Sequence, residues 1–179
     1  MAKTEPRKRV SPPTTQDIAW FLDLASRNRI EFDPPYQRRS VWNQEYKDHF
    51  IDTLLLGYPC PPIFLYKRID DNGQTSYALV DGKQRLTAIL EFVNGNFPIW
   101  KGSPCIELRG KLFSELETEV RIAFYDYDML VDYLPTNEEG IIQVIFDRLN
   151  RNVARLQPQE LRHAKFNGVF IVSVPPSAS

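Results

Sequence analysis

Five consecutive residues carry the clearest chemical signal in this chain: Asp81, Gly82, Lys83, Gln84 and Arg85. They follow a strand-like run and precede a helix-like run, and the first turn of a helix presents unpaired backbone N–H groups and a positive dipole end. Such a turn suits a phosphate group. Gly82 permits close backbone approach, while Lys83 and Arg85 can offset phosphate charge. Asp81 could hold Mg²⁺ or cap the helix, and Gln84 could orient a water or a base.

The same pentapeptide also fits a plain structural interpretation. Asp-Gly is a common turn, Asp81 could serve only as the N-cap of the helix, and the two cations could be solvated. The five residues by themselves leave both interpretations open.

A second group of candidate residues lies in the aromatic and cationic segment from Ile30 to Trp42. Pro34 and Pro35 exclude a helix there and favour an extended loop. The Tyr36 ring can stack on a base, the Gln37 amide can hydrogen-bond to the amide-type edge of a base, and the Arg38 guanidinium can bind phosphate. The alternative is that Tyr36 and Trp42 are core aromatics and that Arg38 pairs with an acidic neighbour.

The order of three motifs adds a family resemblance. These are PYQR followed by Trp42, then DGKQRL, and finally FDRLN with QEL, which runs through Asn150 and Glu160. The set resembles the N-terminal domain family of GmrSD-type restriction systems, a branch of the ParB/sulfiredoxin-like superfamily. The resemblance spans about residue 15 to Gly168. One position departs from the pattern, because Lys83 stands where the family most often has glutamine.

The resemblance implies a ParB/sulfiredoxin-like α+β core and a site for a nucleoside triphosphate with Mg²⁺. Its implied catalytic residues are Asp81, Gln84 and Arg85, with Asp81 also the metal ligand. Its implied nucleotide-binding residues are Tyr36, Gln37, Arg38, Gly82, Lys83 and Asn150. Asn150 could instead be only a helix cap, and Glu160 could only support the last helix.

Three functions follow as hypotheses. The first is a Mg²⁺-dependent NTPase whose turnover governs a nuclease domain or subunit that acts on foreign or modified DNA, as in phage defence. The second is a module that senses nucleotide or DNA without turnover. The third, a nuclease within this chain, is weaker because the sequence has no His-containing metal motif and no dense carboxylate cluster.

Composition narrows the class of protein. The chain has 179 residues, 42% hydrophobic and 25% charged, with a formal net charge of −1, which is typical of one soluble globular domain rather than a generally basic DNA coat protein. Cys60 and Cys105 form no Cys-x-x-Cys pair, so neither a disulfide framework nor a structural zinc site is predicted. No secretory signal or membrane span is visible, which predicts a cytoplasmic protein.

Periodicity predicts the elements that must position these residues. A basic arm (1–13) and a tail (169–179) flank one α+β domain (14–168) with a small mixed sheet packed against helices. Predicted helices run from Thr14 to near Arg27, from Asn43 to about Leu56, from Gly82 to Gly95, through Glu115–Glu119, from Thr136 to Asn150 and from Pro158 to Gly168. Predicted strands are 63–67 and 76–80, joined by a DDNG hairpin turn, with 97–100, 105–108 and 122–131. A last edge strand is predicted just after Gly168.

Overall fold

The computed structural model describes residues 12–32, 42–135, 138, 140, 141 and 144. Its strands are β1 (Thr14–Asp17), β2 (Ile30–Glu31), β3 (Ile63–Ile69), β4 (Thr75–Asp81) and β5 (Asp128–Tyr133). Its α-helices are α1 (Ile18–Ser26), α2 (Gln44–Leu55), α3 (Lys83–Val93) and α4 (Thr118–Tyr125). These elements belong to the first of two compact units, Met1–Asn137, whereas the second, Glu138–Ser179, is described at only four residues.

The five strands form one mixed sheet in the order β1-β5-β3-β4-β2. The pairs β1/β5 and β3/β4 are antiparallel, whereas β3/β5 and β2/β4 are parallel. The β3–β4 hairpin closes through Asp70, whose Oδ1 accepts from the Asn72 N–H at 3.0 Å and from the Gln74 N–H at 2.8 Å. The prediction of an α+β fold around a small mixed sheet is therefore confirmed.

The core forms where one face of this sheet packs against the helices. The register sets Leu65 opposite Leu79 and Ile63 opposite Val131, and all four side chains are fully buried. This alternation follows from the two-residue period of a strand, which sends every second side chain to the same face. Phe92 of α3 continues the core through ring contacts with Phe97, Phe113 and Phe124. The sheet and α3 thus share one apolar interior.

Four local predictions hold. Helix α2 is capped by Asn43, whose Oδ1 accepts from the Tyr46 N–H at 3.0 Å. The β3–β4 hairpin and α3 lie where predicted, and Gly95 follows the end of α3 with φ +75°. A short helix near Glu119 is also present, as α4. These elements depend on nearby caps, turns and apolar spacing, which a sequence displays directly.

Three predictions are wrong. The chain from Thr14 to Asp17 is a strand paired with β5, and Asp17 rather than Thr14 caps α1 through the Trp20 N–H. The predicted strand 122–131 begins inside α4, so β5 starts only at Asp128. The region 97–112 forms no strand among its residues, and Ile106–Leu108 is instead a 3₁₀ helix. At Thr14–Asp17 a partner strand distant in sequence decides between helix and strand.

A buried polar network holds the region after α3 against α2. Asp52 of α2 is 5% exposed, and its carboxylate accepts from Trp100 Nε1 and Ser103 Oγ, both at 2.5 Å. Ser103 Oγ in turn accepts from the Cys105 N–H at 3.1 Å. Buried polar groups must be paired, so this network explains how an irregular segment keeps one conformation.

We expect Asp52→Asn to lower the free energy of unfolding by about 1–2 kcal/mol, because the amide N–H₂ would face a hydrogen-bond donor. Urea unfolding of the variant and of Asp48→Asn, on the same helix, measures the difference. Asp48 accepts from Gln44 Nε2 at an exposed site, so its substitution should change stability by less than about 0.5 kcal/mol. Equal effects of the two substitutions would contradict the importance of the buried network.

Candidate functional site

The predicted turn from Asp81 to Arg85 lies at the junction of β4 and α3. Asp81 is the last residue of β4, Gly82 is the N-cap of α3, and Lys83 is the first helical residue. Gly82 has φ +105° and ψ +8°, and no side chain caps the helix at this position. The alternative in which Asp81 caps the helix is therefore wrong, and the first N–H groups of α3 are not covered by an N-cap side chain.

Packing explains why glycine occupies position 82. A Cβ atom built there would lie 2.4 Å from Ile63 Cδ1 and 3.5 Å from Arg85 Nη2. Ile63 is fully buried in the sheet, so its side chain has little room to move. The turn is thus pressed against the core on one side and against the Arg85 guanidinium on another.

Arg85 is buried beneath the turn, with 8% of its surface exposed. Its Nη1 donates to the carbonyl oxygens of Pro61 at 2.5 Å and Pro62 at 3.1 Å, and its Nη2 donates to Asp81 Oδ2 at 2.8 Å. Arg85 therefore ties the end of β4 to the proline-rich segment before β3. The Asp81 side chain, on the other hand, stays 50% exposed and can reach solvent.

Gln84 connects the turn to the segment that precedes α2. Its side-chain Oε1 accepts from the backbone N–H of Trp42 at 3.0 Å. Lys83 and Gln84 are both half-buried, and each has further interaction partners within the protein. The structure thus brings Trp42, a residue of the predicted PYQR motif region, into direct contact with the DGKQR motif.

The N-termini of α2 and α3 lie close together. Trp42, just before α2, meets Gln84 in the first turn of α3, and further along Lys47 Nζ pairs with Glu91 Oε2 at 2.5 Å. The side chains of this ion pair are 15% and 31% exposed. The positive ends of two helix dipoles are therefore near each other.

Four predicted site residues, Tyr36, Gln37, Arg38 and Asn150, lie outside the described residues, as do Glu160, the helix predicted from Pro158 and the last edge strand. Their assigned roles stay predictions. Of the helix predicted from Thr136 to Asn150, the structure describes as helical only residues 140, 141 and 144. The described part of the site consists of Asp81 to Arg85 and Trp42.

Asp81 is the predicted ligand for Mg²⁺. Among the described residues, no group of three or more His, Cys, Asp or Glu side chains is arranged to hold a metal ion. Mg²⁺ keeps several waters and commonly binds one or two carboxylates together with substrate phosphates. The single half-exposed carboxylate of Asp81 fits binding together with substrate phosphates, so Asp81 would hold the ion only when a phosphate ligand is bound. The ion would neutralise phosphate charge there.

Cys60, just before β3, lies beside Tyr127. Cys60 is half-buried, and the Tyr127 hydroxyl donates to the backbone carbonyl of Tyr58 at 2.5 Å. Burial, followed by the contact with Cys60, raises the pKa of the Tyr127 phenol above its usual range. The neutral phenol is thus favoured, and the contact is a packing feature at the edge of the core.

The fold and the turn define an α+β domain in which a strand, a left-handed glycine and a helix form a turn held by a buried arginine. A family model for the GmrSD restriction endonuclease, N-terminal domain, matches residues 21–167. The chain belongs to this family, as its motifs predicted, and it is therefore a component of a restriction system. No curated protein and no solved structure matches the chain. Among the described residues, no helix has the length and apolar character that crossing a bilayer requires.

Proposed function

We propose that this chain is the nucleotide-binding domain of a GmrSD-type restriction system, and that nucleotide binding and turnover govern a nuclease that acts on DNA. The observation that carries the proposal is the turn from Asp81 to Arg85. It combines a helix N-terminus without an N-cap side chain, a left-handed glycine packed against Ile63, and a half-exposed carboxylate. Family membership supplies the link to restriction and hence to DNA and a nuclease partner.

The phosphate end of the ligand would lie at the start of α3. Backbone N–H groups and the helix dipole favour an anion there, and the Lys83 ammonium adds positive charge next to Gly82. The exposed Asp81 carboxylate would bind nucleotide-bound Mg²⁺, which neutralises phosphate charge. Arg85 acts as a positioning residue, because its guanidinium holds Asp81 and the carbonyls of Pro61 and Pro62.

Turnover would consist of attack by water on the terminal phosphorus, with release of nucleoside diphosphate and inorganic phosphate. Such a reaction needs mainly positioning and charge stabilisation rather than covalent chemistry by the protein. Lys83 and Asp81 flank the glycine at which the phosphate would bind. Gln84, which follows Lys83 in α3, would orient the water or the base.

A second function, sensing without turnover, is favoured by one observation. The guanidinium of Arg85 donates to two backbone carbonyls and to Asp81, so it is engaged in holding the turn. Arginine that stabilises a phosphoryl-transfer transition state must direct its N–H groups toward the phosphate oxygens. With Arg85 held inward, the turn can bind phosphate without accelerating its transfer.

The test is to measure binding of nucleoside triphosphate with Mg²⁺ by calorimetry, together with release of inorganic phosphate. Lys83→Ala should weaken binding by about tenfold or more, since charge-assisted hydrogen bonds contribute about 1.5–3 kcal/mol. The matched control is Lys101→Ala, which removes an exposed lysine from the loop after α3 and should leave binding unchanged.

Asp81→Asn separates turnover from binding. We expect it to lower phosphate release by at least about tenfold while binding without Mg²⁺ is retained. Wild-type protein that binds nucleotide but releases no phosphate would leave only the sensing function. Equal affinities for wild type, Lys83→Ala and Lys101→Ala would contradict the assigned site.

A further inference from the structure

An aromatic pair lies at the N-terminus of α2: Trp42, which is half-buried against the core, and Tyr46, which is exposed. The two ring centroids are 6.2 Å apart, and the ring planes are inclined by 35°. Tyr46 is 64% exposed. The Tyr46 ring is therefore accessible to solvent, and Trp42 lies beside it against the core.

The aromatic pair is held in place from beneath. Trp42 packs edge-on against Phe50, with centroids 5.5 Å apart, and Phe50 is itself buried. The backbone of Tyr46 is held in the first turn of α2 by the Asn43 cap at 3.0 Å. A ligand that stacked on this pair would therefore cost little additional ordering of the protein.

The aromatic pair also adjoins the proposed phosphate turn. The Trp42 N–H donates to Gln84 Oε1 at 3.0 Å, and Gln84 is the second residue of α3. The Lys47–Glu91 ion pair forms a second contact between α2 and α3. Consequently the aromatic pair lies close to the start of α3.

We propose that Trp42 and Tyr46 bind the base of the nucleotide whose phosphates lie at the start of α3. This inference rests on the proposed function, which supplies the phosphate end of the ligand. A nucleoside triphosphate joins an anionic chain to a flat aromatic base, and the structure sets an aromatic surface beside an anion-favouring turn. Stacking tolerates any base because every base has a π-face, so Tyr46 contributes affinity for nucleotides over simple phosphates.

The experiment compares two probes on the full chain with Mg²⁺: a nucleoside triphosphate and inorganic tripolyphosphate. Tyr46→Ala should weaken nucleotide binding by about tenfold, the usual loss when a stacked aromatic is removed, and should leave tripolyphosphate binding unchanged. Tyr46→Phe, which keeps the ring, should retain wild-type nucleotide affinity. The control Tyr58→Ala removes a 59% exposed tyrosine beyond the end of α2 and should affect neither probe.

The outcomes separate this inference from the proposed function. Tripolyphosphate binding with no effect of Tyr46→Ala on nucleotide affinity would overturn the base-binding role and leave the phosphate site standing. Equal losses for both probes would also overturn it. Failure of wild type to bind either probe would reject both proposals. A loss confined to a single-stranded oligonucleotide, tested in parallel, would make the aromatic pair a DNA contact and contradict the inference.

Discussion

Arg85→Ala is expected to lower the free energy of unfolding by about 2–4 kcal/mol, although arginine usually lies on protein surfaces. The substitution removes three hydrogen bonds that join β4, α3 and the segment before β3. Its effect arises mainly from the Pro61 and Pro62 carbonyls, which lose a charged donor, and from the space left by the buried stem. The contribution of the Asp81 pair is smaller, since that carboxylate is 50% exposed and solvent screens it.

Urea unfolding with a matched control measures this effect. Arg68→Ala breaks an ion pair with Glu31 whose N–O distance is 2.6 Å, but both side chains are about two-fifths exposed. We therefore expect a loss below about 1 kcal/mol for the control. Arg85→Lys should recover little of the Arg85→Ala loss, since lysine cannot reach two carbonyls and a carboxylate in the same forked geometry. Comparable losses at positions 85 and 68 would show that the buried contacts of Arg85 contribute no more than a surface pair.

Gly82→Ala is expected to be destabilising by about 2–4 kcal/mol for two separate reasons. The residue has φ +105°, a backbone conformation that an L side chain adopts only with strain. In addition, the new Cβ would lie 2.4 Å from Ile63 Cδ1, and Ile63 is fully buried. The side chain of Ile63 or the start of α3 would have to shift, which carries the cost of overpacking a core.

Gly73→Ala isolates the backbone part of this cost. Gly73 has φ +79° in the β3–β4 turn, and a Cβ there would meet no atom within 4 Å. We expect this control to lose about 1 kcal/mol, from the left-handed conformation alone. The difference between the two variants in urea unfolding then measures the contact with Ile63. If Gly73→Ala lost as much stability as Gly82→Ala, close packing at the turn would have no energetic role.

These two predictions bear on function because the proposed ligand site and the structural support of the fold share residues. Arg85 and Gly82 set the position of the Asp81 carboxylate and of the first N–H groups of α3. A nucleotide-binding defect in either variant would therefore combine lost stability with lost geometry. Lys83→Ala and Tyr46→Ala alter groups that are not part of the buried arginine contacts, so they test binding more directly.

Much of the architecture was predictable from local patterns. The Asn43 cap, the DDNG turn between two alternating runs, and the Gly82 and Gly95 boundaries of α3 each act within a few residues. The family was also predictable, because three separated motifs occur in a set order. Local rules were insufficient at Thr14–Asp17, which pairs as a strand with β5, more than 100 residues along the chain.

The sequence by itself determined the fold class, the hairpin, the position of the turn and the family, because caps, turns, periodicity and ordered motifs are properties of neighbouring residues. Only the tertiary structure decided what the charged side chains do. A sequence shows that Arg85 is cationic but not that it lies buried against two proline carbonyls, nor that Asp52 pairs with Trp100 and Ser103. It likewise does not show that Trp42 reaches Gln84. The direction of a side chain depends on which distant groups the packed chain brings within hydrogen-bonding distance, and burial then makes those contacts obligatory.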